Sequence, residues 1–276
     1  MKVRVITSIF ILAVAIPVAT FSEYIVYPIV LSLLSGIAVF EMLRVIGLQK
    51  CWSLAVPAYL IAIAAPICSY FITDAHRIFY LLAVFVVLFC YLIYTMAVAV
   101  FSKGTIPVSK LGVVYLSVTY VVASFTSMST VRYMESGLYI LFLIFFISWG
   151  CDACAYLVGT FIGKHKLIPE VSPKKSVEGA VGGVIGGTIL SLGFGLFVEL
   201  VLGGEPNYIA IAIYAFVLSI VSQIGDLIAS LIKREYGAKD YGSLMPGHGG
   251  VMDRFDSVLA VATPLLICCL VVNPFA

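Results

Sequence analysis

Long apolar stretches separated by short polar segments make up most of this chain. Each stretch has about 20 residues, which is enough for a helix to cross the hydrocarbon core of a bilayer. The pattern predicts an all-α, polytopic integral membrane protein with about nine transmembrane helices, placed near 4–21, 25–43, 52–72, 78–101, 111–130, 137–161, 179–203, 207–232 and 256–274. We expect a single membrane domain over 1–276, with five scaffold helices in 1–135 and four helices and two charged loops in 136–276.

Composition supports this prediction. Of the 276 residues, 62% are hydrophobic and 11% are charged, whereas a soluble domain has about 25% charged residues. A soluble globular domain is therefore excluded. The apolar stretch after Lys2 and Arg4 contains Pro17 and lacks the small-residue cleavage site of a signal peptide, so we expect it to be retained as the first span.

Positive charge is distributed unevenly between the two sides of the predicted membrane. With the N-terminus in the cytoplasm, the outer loops hold only Arg77 and Arg132, and the inner segments hold the other fourteen of the 16 Lys and Arg residues. Cytoplasmic loops carry such an excess. The pattern predicts a cytoplasmic N-terminus, an external C-terminus, and a multi-pass protein of the cell (inner) membrane whose charged loops face the cytoplasm.

Two motifs resemble chemical sites but have simpler explanations. Cys151-x-x-Cys154 has no second Cys or His pair at metal-ligand spacing, so we interpret the seven cysteines as small buried apolar residues. The glycine-rich run 179–187 lacks the Gly-Lys-Ser/Thr of a phosphate loop. Because its glycines recur every three or four residues within an apolar stretch, close helix packing is favoured.

The first half of the chain carries little polarity within its spans. Glu41 and Arg44, at the end of the second span, are three residues apart and are expected to pair on one helix face. We found no other sign of chemistry in 1–135 and interpret it as scaffold.

The second half places acids inside apolar helices. Asp152 lies in the sixth span, and an acid at that depth is by default a functional hypothesis, with a structural hydrogen bond between helices as the alternative. In the eighth span Ser222, Asp226, Ser230 and Lys233 recur on one helix face. A buried Asp–Lys pair that holds helices together is the alternative for Asp226.

Two charged segments adjoin these helices. In the loop from Lys164 to Ala180, Lys174 and Lys175 precede a helix that Ser176 is expected to cap, and a helix N-terminus with two cations suits an anion. The segment 230–256 combines lysines, arginines, aspartates and His248 with glycines. Cations, carboxylates and small-residue backbone together suit a phosphate-plus-metal site. A solvated loop with positive-inside charge is the alternative.

These residue types favour phosphoryl or nucleotidyl transfer. No Ser-His-Asp or Cys-His arrangement is visible in the sequence, and in phosphoryl transfer the protein mainly positions groups and neutralises charge. Two alternatives stay open: a CTP-dependent kinase of a membrane lipid alcohol, and a secondary transporter, in which intramembrane acids and glycine-interrupted helices also occur.

Three stretches resemble the phosphatidate cytidylyltransferases (CDP-diacylglycerol synthases). The first is Ser230-x-Ile-Lys-Arg-(x4)-Lys-Asp with Gly242 and Pro246-x-His-Gly-Gly-x-x-Asp-Arg-Phe-Asp256, in which Met245 replaces a usual Leu, Ile or Phe. The others are Asp152-x-x-Ala-Tyr156-x-x-Gly159 with Gly163-Lys164, and Ser172-Pro-Lys-Lys-Ser-x-Glu-Gly179, in which Ser176 replaces a usual Thr.

The resemblance implies condensation of CTP with phosphatidic acid to CDP-diacylglycerol and pyrophosphate in phospholipid biosynthesis. It implies Mg²⁺, as two divalent cations or as one divalent and one monovalent cation. The implied partners are CTP, phosphatidic acid and the lipid bilayer, with a homodimer left open and no nucleic acid. Metal ligands are expected at Asp226 and Asp253, with Asp256 and Asp152 next, and catalytic roles at Asp226, Asp253, Lys233 and Arg254. Substrate binding is expected at Lys174, Lys175, Ser176, Glu178, Ser222, Ser230, Arg234, Lys239, Asp240, His248, Gly249, Gly250 and Tyr156.

Overall fold

A computed structural model of the chain describes residues 21–244 and 249–275. Its regular structure consists of eight α-helices, one short hairpin and two three-residue 3-10 helices, Ser69–Phe71 and Asp74–His76. The helices are α1 Val26–Ile46, α2 Trp52–Cys68, α3 Arg77–Phe101, α4 Val108–Arg132, α5 Gly137–Ile162, α6 Val177–Leu202, α7 Tyr208–Glu235 and α8 Met252–Val271. The strands β1 Lys166–Ile168 and β2 Ser172–Ser176 pair antiparallel.

All eight described helices are long and apolar enough to cross a membrane. They coincide with eight of the nine predicted spans, which confirms a helical, polytopic membrane protein. The span predicted near 4–21 lies outside the described residues, so the count of nine stays a prediction. The hairpin is an addition to the all-α prediction, and it lies within the loop expected between Lys164 and Ala180.

The chain divides into two compact units. The first comprises Met1–Thr130 and Tyr236–Arg254, of which the structure describes 21–130, 236–244 and 249–254. The second comprises Val131–Glu235 and Phe255–Ala276, described up to residue 275. The predicted signature 230–256 is thereby distributed over both units, and each is described by itself below. The expectation of a single membrane domain stays a prediction.

The glycine-rich run lies at the packed face of α6 in the second unit. A Cβ on Gly179 would lie 2.8 Å from the Ala155 carbonyl oxygen, and one on Gly183 would lie 2.9 Å from the Ala155 Cβ. One on Gly187 would lie 2.8 Å from the Ser219 hydroxyl of α7. These distances leave no room for a side chain, so the prediction of close helix packing is confirmed.

The cysteines only partly follow the prediction. Cys151 is buried, and its thiol donates to the Ser219 carbonyl oxygen at 3.7 Å. Cys68 and Cys90, in contrast, are exposed on apolar helices, so the expectation that all seven are buried within the protein is wrong. The physical reason is that a membrane helix can turn an apolar side chain toward lipid as well as toward protein.

Candidate active site

In the second unit, α7 carries the predicted polar stripe as one unbroken helix. Ser222 is fully buried and Lys233 is 9% exposed. The Ser230 hydroxyl donates to Asp226 Oδ1 at 3.4 Å, one helical turn away. An apolar helix of this length with a buried polar face needs partners for that face from other elements.

The hairpin supplies one of these partners. The side chain of Lys175, on β2, places its Nζ 2.6 Å from Asp226 Oδ2, with both side chains about three-quarters buried. β2 ends at Ser176, directly before α6 begins at Val177. A lysine of the hairpin thus pairs with an acid within a spanning helix. The alternative interpretation of Asp226 expected such an Asp–Lys pair, and its lysine is Lys175.

Two further contacts fix the base of the hairpin. The Ser176 hydroxyl accepts the Gly179 N–H at 3.2 Å, which confirms Ser176 as the N-cap of α6. The Glu178 carboxylate accepts the Lys164 N–H at 3.1 Å and lies 2.6 Å from His165 Nδ1. Glu178 therefore ties the start of the hairpin to its end, and this contact supports a structural role beside the substrate-binding role predicted for it.

A second pair of acids lies on α5 and α8. The Ser257 hydroxyl donates to Asp152 Oδ2 at 2.8 Å, and the Ser257 N–H donates to Asp256 Oδ1 at 2.9 Å. Asp152 and Asp226 are both close enough to Asp256 for their charges to act on it, as is Lys233. We call this group the carboxylate–lysine cluster; its members are Asp152, Asp226, Asp256, Lys175 and Lys233.

The chemistry of the carboxylate–lysine cluster fits Mg²⁺, because hard divalent cations take carboxylate oxygens as ligands. Like-charged carboxylates brought together in an apolar environment also need a compensating cation. Among the described residues, no three Asp, Glu, His or Cys side chains stand at metal-coordinating separation. The carboxylate oxygens are therefore of the type that Mg²⁺ binds, but they are not gathered at coordinating distance. Lys175 and Lys233 provide positive charge beside them.

In the first unit, Asp253 lies in a pocket of backbone N–H groups. Its Oδ2 atom accepts the N–H of Tyr241 at 2.7 Å, of Gly250 at 2.9 Å and of Gly242 at 3.4 Å. Gly249 has a φ of +87°, and a Cβ there would lie 2.7 Å from the same oxygen. The glycines of the signature are therefore required for the chain to enclose this carboxylate.

Glu41 and Arg44 have partners that the sequence analysis missed. Glu41 is 3% exposed, and its carboxylate accepts the N–H groups of Val251 and Met252 at 3.1 and 2.9 Å. Arg44 donates to the Tyr241 carbonyl oxygen at 2.7 Å. Two side chains of α1 thus bind backbone groups of the signature segment, while the interpretation of 1–135 as scaffold stays a prediction. The available signal was an acid within an apolar helix, which is expensive unless it has such partners.

Seven of the predicted site residues remain to be described. The side chains of six of them are exposed: Tyr156, Lys174, Arg234, Lys239, Asp240 and Arg254. His248 lies outside the described residues. The roles assigned to these seven residues stay predictions, as does the sharing of one metal by Asp226 and Asp253.

Comparison with known proteins identifies the family. The chain matches the Cytidylyltransferase family over residues 2–272. The chain belongs to the cytidylyltransferase family. It is similar to a phosphatidate cytidylyltransferase of Staphylococcus aureus, with 33% identity over 271 residues that cover 96% of this chain and 97% of that protein. It is also similar to a phosphatidate cytidylyltransferase of Bacillus subtilis, with 33% identity over 85% of both chains. Membership in the cytidylyltransferase family confirms the resemblance that the three motifs carried.

Proposed function

We propose that this chain condenses CTP with phosphatidate, forming CDP-diacylglycerol and pyrophosphate in phospholipid biosynthesis. The observation that carries the proposal is the match to phosphatidate cytidylyltransferases over nearly the whole chain, at 33% identity. The eight apolar helices agree with a lipid substrate held in a bilayer. The phosphate-and-metal chemistry expected from the motifs agrees with a nucleotide as the other substrate.

The reaction places simple demands on the protein. A phosphatidate oxygen forms a new bond to the α-phosphorus of CTP, the bond from that phosphorus to the β-phosphate oxygen breaks, and pyrophosphate leaves. The phosphomonoester is largely dianionic at neutral pH, since its second pKa lies near 6, so it is a nucleophile without a protein base. The main tasks are to bring two polyanions together in line and to neutralise the charge that develops.

The carboxylate–lysine cluster is suited to this task. Lys175 and Lys233 supply cations inside or beside a spanning helix, where a charge acts more strongly than in water. Asp226, Asp256 and Asp152 would hold Mg²⁺, and the metal-ligand role of Asp253 stays a prediction. The chemistry that Mg²⁺ would supply there is positive charge to offset the charge that develops on the phosphates.

We propose that the remaining cations bind the substrates and that both charged loops face the cytoplasm. Lys174, Arg234, Lys239 and Arg254 are exposed next to the helix ends, where they can meet soluble CTP and lipid headgroups. Support for the orientation comes from the excess of Lys and Arg on one side of the spans. A cytoplasmic site would face the compartment that holds CTP. A homodimer of this chain stays a prediction.

The experiment that tests the proposed function is reconstitution from pure components. Purified protein in detergent, given CTP, Mg²⁺ and phosphatidate, should release pyrophosphate and form CDP-diacylglycerol in equal amounts. Diacylglycerol or a polyprenol in place of phosphatidate should give no pyrophosphate. Formation of CDP together with a phosphorylated alcohol would assign the chain to lipid kinases and contradict the proposal.

A further inference from the structure

Glu41 lies near the C-terminal end of α1 and binds a segment 210 positions further along the chain. Each of its two carboxylate oxygens accepts one backbone hydrogen bond: Oε1 accepts the Val251 N–H at 3.1 Å, and Oε2 accepts the Met252 N–H at 2.9 Å. The first N–H groups of a helix have no acceptor within the helix. Glu41 therefore caps the N-terminus of α8 from another helix, and its negative charge suits that end of the helix dipole.

Two glycines of the signature leave the space that the Glu41 carboxylate occupies. A Cβ on Gly250 would lie 2.2 Å from Glu41 Oε1 and 2.4 Å from Oε2, and its three nearest atoms all belong to Glu41. A Cβ on Gly242 would lie 2.0 Å from Oε1. Such separations are far inside van der Waals contact, so the backbone can approach Glu41 this closely only where it carries no side chain.

The same two glycines also hold Asp253. The N–H groups of Gly242 and Gly250 both donate to Asp253 Oδ2, while their α-carbons face Glu41. Arg44, one turn after Glu41, binds the carbonyl oxygen of Tyr241, whose N–H donates to Asp253 as well. Two side chains of α1 thus fix the backbone that sets the orientation of the Asp253 carboxylate.

We propose that Glu41 is a positioning residue for the reaction. It holds the Gly242 and Gly250 segments and the start of α8, and through them it orients Asp253. Glu41 acts through these backbone groups, and its own oxygens are occupied by Val251 and Met252. The inference rests on the proposed function, in which Asp253 is a predicted Mg²⁺ ligand, but the contact between Glu41 and Gly250 can be tested without activity.

The first test is a double-mutant cycle on thermal unfolding of the full-length protein in detergent. Glu41→Ala and Gly250→Ala should each lower the midpoint by several degrees. In the Glu41→Ala background, Gly250→Ala should lower the midpoint much less, because the carboxylate atoms that the new Cβ would meet have been removed. Gly112, with nothing within 4 Å of its Cβ position, and the exposed Glu135 supply matched controls: alanine at either should shift the midpoint little and additively. If Gly250→Ala lowered the midpoint equally with and without the Glu41 side chain, the proposal would be overturned.

The second test separates positioning from general stability. Glu41→Gln keeps the size of the side chain but replaces one acceptor oxygen by an amide that presents hydrogens to the Val251 or Met252 N–H. We expect kcat per folded protein to fall about tenfold, the size of losing one hydrogen bond to a charged group, with KM for phosphatidate unchanged. The Mg²⁺ concentration that raises the thermal midpoint half-maximally should increase.

A Glu41→Gln protein with a lower midpoint but an unchanged kcat and Mg²⁺ response would show a structural role only, and would overturn the proposal. Failure of the unaltered protein to release pyrophosphate would instead overturn the proposed function. In that case the thermal cycle between Glu41 and Gly250 still decides whether the carboxylate organises the loop.

Discussion

Lys175 and Asp226 form an ion pair, with Nζ 2.6 Å from Oδ2, that joins the hairpin before α6 to the middle of α7. Both side chains are about three-quarters buried, so neither charge is well solvated. Breaking such a pair leaves an uncompensated charge in a poor solvent. The pair also places a cation beside an acid that we expect to hold Mg²⁺. Removing either partner should therefore affect both stability and catalysis.

Asp226→Asn and Lys175→Met should each reduce activity by about a hundredfold or more, because each removes a charge that acts on the reacting phosphates. Insertion into the membrane and extraction should remain normal. Lys166→Met and Glu170→Gln, both exposed residues of the hairpin segment, serve as controls and should retain activity. Pyrophosphate release and thermal midpoints measure both effects. An Asp226→Asn protein that loses stability but keeps its Mg²⁺-dependent turnover would assign Asp226 to structure alone.

Asp152 and Ser257 allow the ligand and structural interpretations of Asp152 to be separated. Their 2.8 Å hydrogen bond joins α5 to α8. Ser257→Ala removes that bond and should cost about 1 kcal/mol of stability with a modest loss of activity. Asp152→Asn can still accept from Ser257 but loses its charge, so we expect a loss of activity at least tenfold greater than that of Ser257→Ala. Equal losses in the two variants would mean that only the hydrogen bond matters.

The orientation of the loops can be measured directly. Single cysteines at Lys174 and Ser243, in a cysteine-free background, should react with a membrane-impermeant thiol reagent only after the membrane is opened. Both positions are exposed, so a lack of labelling in intact cells would reflect the side of the membrane. A cysteine at Arg77 is unsuitable as the external reference because Arg77 is largely buried and pairs with Asp74. The exposed Asp74 is the better choice. Labelling at Lys174 or Ser243 in intact cells would contradict the cytoplasmic placement.

The elements of this fold could be predicted where a local pattern encodes them. A stretch of about 20 predominantly apolar residues favours a spanning helix, which satisfies its backbone groups within one segment in lipid. The eight described helices lie where the sequence placed them. The Ser176 cap and the small-residue face of α6 were predictable for the same reason, since both depend on spacing within one helix.

Contacts between distant segments were harder to predict from the sequence. Glu41 and Arg44 are spaced to pair with each other, yet both engage the loop that begins about 200 residues later. An acid within an apolar helix indicates that Glu41 needs a partner, but the local sequence does not show whether that partner lies on the same helix or on another. Likewise, Lys233 lies on the same helix as Asp226, but the ion pair comes from Lys175 of the hairpin. The residue types of the site were recognisable, whereas their partners depended on the tertiary structure.

The tight face of α6 gives a final prediction that concerns packing alone. Gly183 is buried, and a Cβ there would lie 2.9 Å from the Ala155 Cβ and from the Cys151 carbonyl oxygen of α5. Gly193, on the same helix, is exposed and has nothing within 4 Å of its Cβ position. Gly183→Ala should therefore force α5 and α6 apart at a cost of about 1–3 kcal/mol, while Gly193→Ala should be neutral or slightly stabilising because alanine favours the helix.

Thermal unfolding in detergent measures both changes. Because α6 follows directly after β2, separation of α5 and α6 should also disturb the hairpin that carries Lys175. Gly183→Ala should thus lower activity at temperatures where the protein is still folded. Gly193→Ala should not, and its midpoint provides the reference for the intrinsic effect of a methyl group in this helix. Equal midpoints for the two variants would show that the contact between α5 and α6 is looser than the distances at Gly183 require.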